Sequence, residues 1–207
     1  MLALAVALAL SPTADPVRIA CLGDSITWGA GLPERDTQSY PAVLAKSLGA
    51  GYTVKNFGMN GRTVLAAGDM PYTGTDEYKA ALAFAPNVVV ILLGSNDTKP
   101  QNWKHADKFV DDYTKLAKAF VELPSKPKVF ACLPLPAFPG EWGIDDQRIK
   151  LGVIPKIQKV AEELKLPVID LYAEFDRRGN LFPDKVHPNA AGAARLAATV
   201  EKSVLRR

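Results

Sequence analysis

Five apolar runs recur along the chain, each running out into small or polar residues: "VRIACLG" (17–23), "YTVKNFG" (52–58), "NVVVILLG" (87–94), "KVFACLPL" (128–135) and "LPVIDL" (166–171). Their length and composition predict strands, and the third is apolar throughout, as expected of a strand covered on both faces. Between them the apolar period changes. Tyr40, Val43, Leu44 and Leu48 share one helical stripe that stops at Gly49, and Phe109, Tyr113, Leu116 and Phe120 share another. Ile157, Val160 and Leu164 mark a third after Pro155, and the alanine-rich tail from Pro188 onward is helix-prone. Alternation of strand and helix predicts a parallel sheet, because parallel neighbours need right-handed crossovers of this length. The expected fold class is therefore α/β, a three-layer α/β/α sandwich around a five-stranded parallel sheet.

In such sheets ligands bind beyond the carboxyl ends of the strands, so the segments leaving each run are the place to look for chemistry. The first run leads to Gly23-Asp24-Ser25, the second to "GMNGRT" with Gly58, Asn60 and Gly61, and the third to "GSND" with Gly94, Asn96 and Asp97. The fourth leads to the loop "PLPAFPGEWGIDD", and well beyond the fifth stands "FPDKVHPNAAG", with Asp184 and His187. Acyl transfer from an ester needs a nucleophile, a base, a group that orients the base and donors for the oxyanion. Ser25 is the candidate nucleophile, at a strand-to-helix turn where a helix N-terminus favours developing negative charge. His187 is the candidate base, and Asp184, three residues before it, the group that fixes its tautomer. The backbone N–H groups of Ser25 and Gly61 and the amide of Asn96 are candidate oxyanion donors. Taken singly, Ser25 reads as a helix cap and Asn96-Asp97 as a turn; the case rests on their joint order on successive strand ends. Asp24 is expected to shape its turn rather than to orient the base.

Composition narrows the setting. At 207 residues and 48% apolar, the chain is long enough for one good core and is read as one domain. A net charge of +3 with no Lys/Arg block points away from nucleic acid. Residues 1–14, "MLALAVALALSPTA", carry no charge and are too short in their apolar run to span a bilayer. They are expected to be a signal peptide, placing the protein in the secreted or periplasmic space without stable membrane insertion, and leaving residues 15–207 as the folded domain. Cys21 and Cys132 lie inside strand-like runs and are expected to be free and buried. With two cysteines, no CxxC and two histidines, a zinc site is not expected.

The four blocks together resemble those of the GDSL/SGNH hydrolases: "GDSIT", "NFGMNGRT", "LLGSND" and "DKVHPN", in that order and at wide spacing over residues 17–207. By this resemblance Ser25, Gly61, Asn96 and His187 take the four signature roles, with Asp184 completing a triad. One departure is Ile26 where the family's block has Leu, a conservative apolar change. The resemblance implies a sheet of flavodoxin-like order 2-1-3-4-5 and a serine esterase that needs no cofactor.

The substrate is less constrained. The family includes lysophospholipases, lipases, thioesterases, arylesterases and carbohydrate O-acetylesterases, and fold does not choose among them. Arg62, Lys99, Trp103, Tyr72, Tyr78 and Trp142 stand near the site blocks in sequence, and aromatic faces stack on sugar rings. The pattern "LPLPAF…W" after the fourth run resembles that of sugar-esterase relatives in the family, and this resemblance implies removal of a small acyl group, acetyl, from a small-molecule or polysaccharide carbohydrate ester, with Arg62 and Trp142 as expected substrate contacts. Two other classes remain: a metal-dependent phosphoesterase using Asp24, Asp97 and His187, and a catalytically silent sugar-binding protein. A nucleotide-binding fold is disfavoured, since Gly23, Gly29 and Gly31 do not fit GxGxxG and no Walker A motif occurs.

Overall fold

The computed structural model describes residues 15–140 and 142–206; the expected signal peptide lies outside them. The five runs form strands β1 (Val17–Gly23), β2 (Tyr52–Gly58), β3 (Val88–Leu92), β4 (Lys128–Leu133) and β5 (Val168–Asp170). All pairs are parallel, in the order β2-β1-β3-β4-β5. The five longest helices among the described residues are α1 (Tyr40–Leu48), α2 (Asp76–Ala83), α3 (Phe109–Val121), α4 (Ile154–Leu164) and α5 (Ala190–Leu205); the first four lie between strands and α5 follows the last.

Alternation along the strands divides the core into two layers, since successive side chains point to opposite faces. Ala20, Leu22, Val89, Ile91, Val129 and Ala131 face α2, α3 and α4, where Ala81, Tyr113, Leu116, Phe120, Ile157 and Val160 bury their stripe. Ile19, Cys21, Val90, Leu92, Phe130 and Cys132 face α1 and α5, packing on Tyr40, Leu44, Leu196 and Val200. Helices α1, α3 and α4 thus show the sheet the stripe that their sequence spacing predicted, whereas α2 was not expected from the sequence. Both cysteines are free and buried. Burial pushes the Cys21 thiol up to about 12, against a smaller opposing effect of Tyr40, so it behaves as a small apolar side chain.

The register positions the chemistry. Gly23 of β1 is level with Gly58 of β2 and with Leu92 of β3, so the first three strands end together. The amide of Met59 continues the ladder by donating to the Gly23 carbonyl at 3.0 Å. At Gly58 a Cβ would sit 2.3 Å from the Trp28 amide nitrogen, so only glycine lets the turn after β1 pack against the end of β2. The helix expected after Ser25 is a single turn, Ser25–Trp28. Asn56 donates to the Thr27 carbonyl at 2.9 Å and Arg35 to the Trp28 carbonyl at 2.9 Å, which satisfies the exposed end of that turn. A four-residue helix has little macrodipole, so stabilisation of charge at Ser25 falls to individual amides rather than to the helix as a whole.

Candidate active site

The site is built from the segments that leave β1, β2 and β3 and from the turn before α5. Asp24 caps the one-turn helix: its carboxylate accepts the Ile26 amide at 2.9 Å, and it is buried. This leaves Ser25 at the first helical position, partly open to solvent. Asp24 shapes the turn, as its sequence position predicted, and the structure adds that its second oxygen lies 3.3 Å from Asn96 Nδ2. Burial pushes the Asp24 carboxyl up to about 6, although the Ile26 amide and the charges of His187 and Lys99 oppose the shift.

His187 arrives from the far end of the chain. The Asp184 carboxylate accepts the amides of Val186 at 3.0 Å and His187 at 2.7 Å through one oxygen, which tightens the turn. Its other oxygen stands 2.6 Å from His187 Nδ1. Asn189 then caps α5 by accepting the Gly192 amide at 3.0 Å. The buried imidazole is thereby aimed so that Nε2 lies 2.8 Å from Ser25 Oγ. Partial burial pushes the Asp184 carboxyl up, but the bonds from the His187 ring and from the amides of His187 and Val186 outweigh it and hold the group below its ordinary value. Asp184 is therefore ionised at neutral pH, and an ionised acceptor at Nδ1 places the ring's proton there and leaves Nε2 to accept from the Ser25 hydroxyl.

Gly61 adopts φ +76, in the left-handed region that favours glycine. A Cβ there would also lie 2.9 Å from Met70 Sδ, the outer part of a flexible and exposed side chain that can move aside, so it is the backbone twist that favours glycine. Asn96 follows β3 in a short 3-10 turn (Asn96–Thr98), buried, with Nδ2 also 3.2 Å from the Arg62 carbonyl. Ser25, Gly61, Asn96 and His187 line one cavity of about 280 Å³, together with Ala30, Asn60, Met70, Lys99, Trp142 and Ile144.

The residues expected to contact substrate separate into two groups. Trp142 is half exposed and lies edge-on to the His187 ring, centroids 5.2 Å apart. Arg62 meets the site through its carbonyl; its guanidinium does not line the cavity, and its Nε is buried without a hydrogen-bond partner among the described residues. Tyr72 and Tyr78 are corrections to the expectation. Tyr72 is sealed in the core, its hydroxyl donating to the Phe57 carbonyl at 2.7 Å, and Tyr78 packs edge-on against Tyr72 and Phe120. Trp103 packs against the same core layer. An amphipathic ring with a backbone acceptor in reach is as well satisfied inside as at a rim, which sequence position does not reveal.

The loop after β4 had no readable periodicity, yet it is tied down. Ala137 N donates to Asp146 at 2.9 Å, Phe138 N to the Lys185 carbonyl at 2.9 Å and Asp145 N to Thr98 Oγ1 at 3.0 Å. These bonds carry Trp142 to the mouth of the cavity. Asp97 has a role that sequence reasoning did not assign: fully buried, it accepts the amides of Leu65 at 2.8 Å and Val64 at 3.1 Å. Its place beside Asn96 was the available signal. Among the described residues no three His, Cys, Asp or Glu side chains converge as a metal site, so Asp24, Asp97 and His187 do not form the set a metal-dependent phosphoesterase would use.

Several known proteins share this arrangement of chain. An acetylxylan esterase from Xylanibacter ruminicola is 40% identical over 212 aligned residues, which cover 94% of this chain. The chain spans 44% of that relative's length. Among solved structures, the acetyl xylan esterase AlAXEase superposes with a TM-score of 0.72 at 22% identity, over 91% of this chain and 100% of the other. The carbohydrate acetylesterase Est24 from Sinorhizobium meliloti gives 0.71 at 21% identity, over 91% and 98%. At such identities these two likenesses establish the fold, a sandwich of the same order. The family model of the GDSL-like lipases and acylhydrolases matches residues 21–195, from the end of β1 into α5 and across every block described above; the chain belongs to that family.

Proposed function

We propose that the protein is a serine esterase that removes a small acyl group, acetyl, from a carbohydrate ester. The observation that carries this reading is the hydrogen-bonded series Ser25 Oγ, His187 Nε2, His187 Nδ1 and Asp184, with links of 2.8 and 2.6 Å, opening on a cavity at the strand ends. In the reading, Ser25 Oγ attacks the ester carbonyl while His187 Nε2 takes its proton. The oxyanion is met by the amides of Ser25 and Gly61 and by Asn96 Nδ2. The alcohol leaves with the proton from His187, and a water activated by the same nitrogen releases the acid. No cofactor enters these steps.

Two observations favour a small acyl group on a sugar. The cavity beside Ser25 is about 280 Å³, below the range common for drug-sized ligands, and is walled by Met70, Trp142 and Ile144. The exposed indole of Trp142 at its mouth offers an apolar face with a polar edge, the surface on which pyranose rings stack. The acetylxylan esterase relative supports the same substrate class. No helix among the described residues is long and apolar enough to cross a membrane; an exported location rests on residues 1–14 and fits a polymeric substrate outside the cell.

The test is initial-rate hydrolysis of nitrophenyl esters from acetate to decanoate, beside acetate release from acetylated xylan and acetylated sialic acid, with Ser25→Ala as the blank. A sharp preference for acetate with release from one saccharide is the expected result. A rate that climbs with chain length, and no release from either saccharide, would instead assign a lipolytic esterase or thioesterase.

A further inference from the structure

Asp97 is the most deeply buried carboxyl group near the cavity that the proposed reaction does not use, with none of its surface exposed. Both of its oxygens are committed to backbone: Oδ1 accepts Leu65 N at 2.8 Å and Oδ2 accepts Val64 N at 3.1 Å. The segment it holds is the one that carries Gly61. That segment leaves β2 at Gly58, is fixed at its start by Met59 N on the Gly23 carbonyl at 3.0 Å, and closes on itself where Thr63 N meets the Met70 carbonyl at 3.0 Å and Tyr72 N the Thr63 carbonyl at 2.9 Å. Between these ties lies Gly61, whose amide has no acceptor among the described residues and is free to meet a ligand.

The same turn grips the segment twice. Asn96 Nδ2 lies 3.2 Å from the Arg62 carbonyl, one residue after Gly61, while its neighbour Asp97 takes the amides two and three residues further on. The turn is itself braced, with Asn102 Nδ2 donating to the Asn96 carbonyl at 2.9 Å and Thr98 Oγ1 to the Ser95 carbonyl at 2.7 Å. Two of the three oxyanion donors, Gly61 N and Asn96 Nδ2, come from different strand ends, and Asp97 adds to the Asn96 contact a second tie between them, through two amides at once.

A carboxylate kept in the core is costly, and a neutral acceptor of the same shape would satisfy one of the two amides. Burial pushes the Asp97 carboxyl up to about 7, the two amides pull it back, and the nearby Asp24 adds to the rise. A bidentate acceptor is what fixing two successive amides requires, and an error of about 1 Å in a donor is enough to cost about 10²-fold in rate.

We propose that Asp97 is a positioning residue of the active site: its carboxylate, clamped on the amides of Val64 and Leu65, sets Gly61 N against Asn96 Nδ2 so that both converge on the developing oxyanion. This rests on the esterase reading above. Asp97 touches no reacting atom and acts through the loop.

The experiment compares the parent with Asp97→Asn, which keeps the shape but offers one acceptor, and with Asp112→Asn. Asp112 accepts one backbone amide, that of Ala66 at 2.9 Å, so its variant keeps that bond and makes the same carboxylate-to-amide change on the same loop further from Gly61. The readouts are kcat and KM for nitrophenyl acetate and the inhibition constant of an arylboronic acid, whose tetrahedral adduct with Ser25 places an anionic oxygen where the oxyanion develops. For Asp97→Asn the expected result is a fall in kcat of about 10²-fold, KM within about threefold, and a boronate affinity weakened by a similar factor. Asp112→Asn should stay within about twofold of the parent in all three. A folded Asp97→Asn with kcat within about threefold of the parent overturns the proposal, as does a loss of kcat with boronate affinity unchanged, or an equal loss in both variants. Should Asp97→Asn not fold, Asp97→Ser, whose shorter side chain no longer reaches both amides, is read in the same way. If the parent itself hydrolyses no ester and forms no boronate adduct, the esterase reading fails; if the parent hydrolyses acetate and Asp97→Asn matches it, only the positioning role fails.

Discussion

His187 Nε2 lies 2.8 Å from Ser25 Oγ although 162 positions separate the two residues in sequence. The contact forms because the turn before α5 returns to the edge where β1 ends. With the Asp184 carboxylate 2.6 Å from the other ring nitrogen, the three groups share one chain of hydrogen bonds, and their removal should not be additive. Ser25→Ala is expected to lower kcat for nitrophenyl acetate by about 10⁴-fold or more, with the fold intact by circular dichroism. Asp184→Asn should cost less by about tenfold or more, because its side chain is about one-third exposed and water can partly replace it. Equal activity of Ser25→Ala and parent would remove the nucleophile.

Acid and base should act on the fold through different carboxyl groups. Asp24 and Asp97 have their carboxyls raised to about 6 and about 7, chiefly by burial, so each binds its proton more tightly folded than unfolded. The stability they contribute is full below the unfolded value near 3.8 and is lost as pH rises through 6 to 7. Asp184 is lowered, so its contribution has the opposite sign, present above 3.8 and lost as pH falls below it. The melting temperature should therefore drop between pH 5 and pH 8, and drop less in Asp97→Asn, by about 2 °C or more. Parallel curves for the two proteins would mean that Asp97 is already ionised in the fold across this range, with its carboxyl not raised.

Gly61 offers a test of the oxyanion donors that leaves the nucleophile alone. At φ +76 an alanine costs about 1–2 kcal/mol, and its methyl group would crowd Met70 Sδ at 2.9 Å. Gly61→Ala is expected to lower kcat by about tenfold or more and the melting temperature by a few degrees, with KM little changed. Asn96→Ala removes a donor outright and should cost about 10²-fold to 10³-fold in kcat. Steady-state kinetics of the two variants on one aryl acetate checks both, and a change confined to KM would place these groups in ground-state binding instead.

The fold was legible because β3 is covered on both faces and because β1, β2 and β4 end in residues that cannot continue a strand: Gly23, Gly58 and the proline-rich segment after Leu133. Polar and small residues after β1, β2 and β3 mark Ser25, Gly61 and Asn96 in the sequence alone. The sequence could not distinguish Tyr72 from Trp142. Both are aromatic residues beside a site block, but the Phe57 carbonyl draws one into the core while the loop ties from Ala137, Phe138 and Asp145 hold the other at the cavity mouth. Nor could it assign Asp97, since a turn aspartate usually caps its own backbone, and here it reaches amides 32 and 33 residues away.

Trp142 separates recognition of the alcohol from chemistry on the acyl group. It is half exposed, stands edge-on to His187 and shares the cavity with Ser25, yet it donates to no reacting atom in the proposed steps. If its face stacks on the sugar, removing it costs the saccharide substrate binding energy that an aryl acetate never used, about 1–2 kcal/mol or roughly tenfold. Trp142→Ala should then raise KM for acetylated xylan by about tenfold while kcat changes little, and its effect on nitrophenyl acetate should stay several-fold smaller. Acetate release from xylan and nitrophenol release, measured on one preparation, give the ratio directly. If both substrates lose equally, and in kcat, Trp142 serves the geometry of His187 rather than the sugar, and the carbohydrate contact must be sought among Asn60, Lys99 and Ile144, which line the remaining wall.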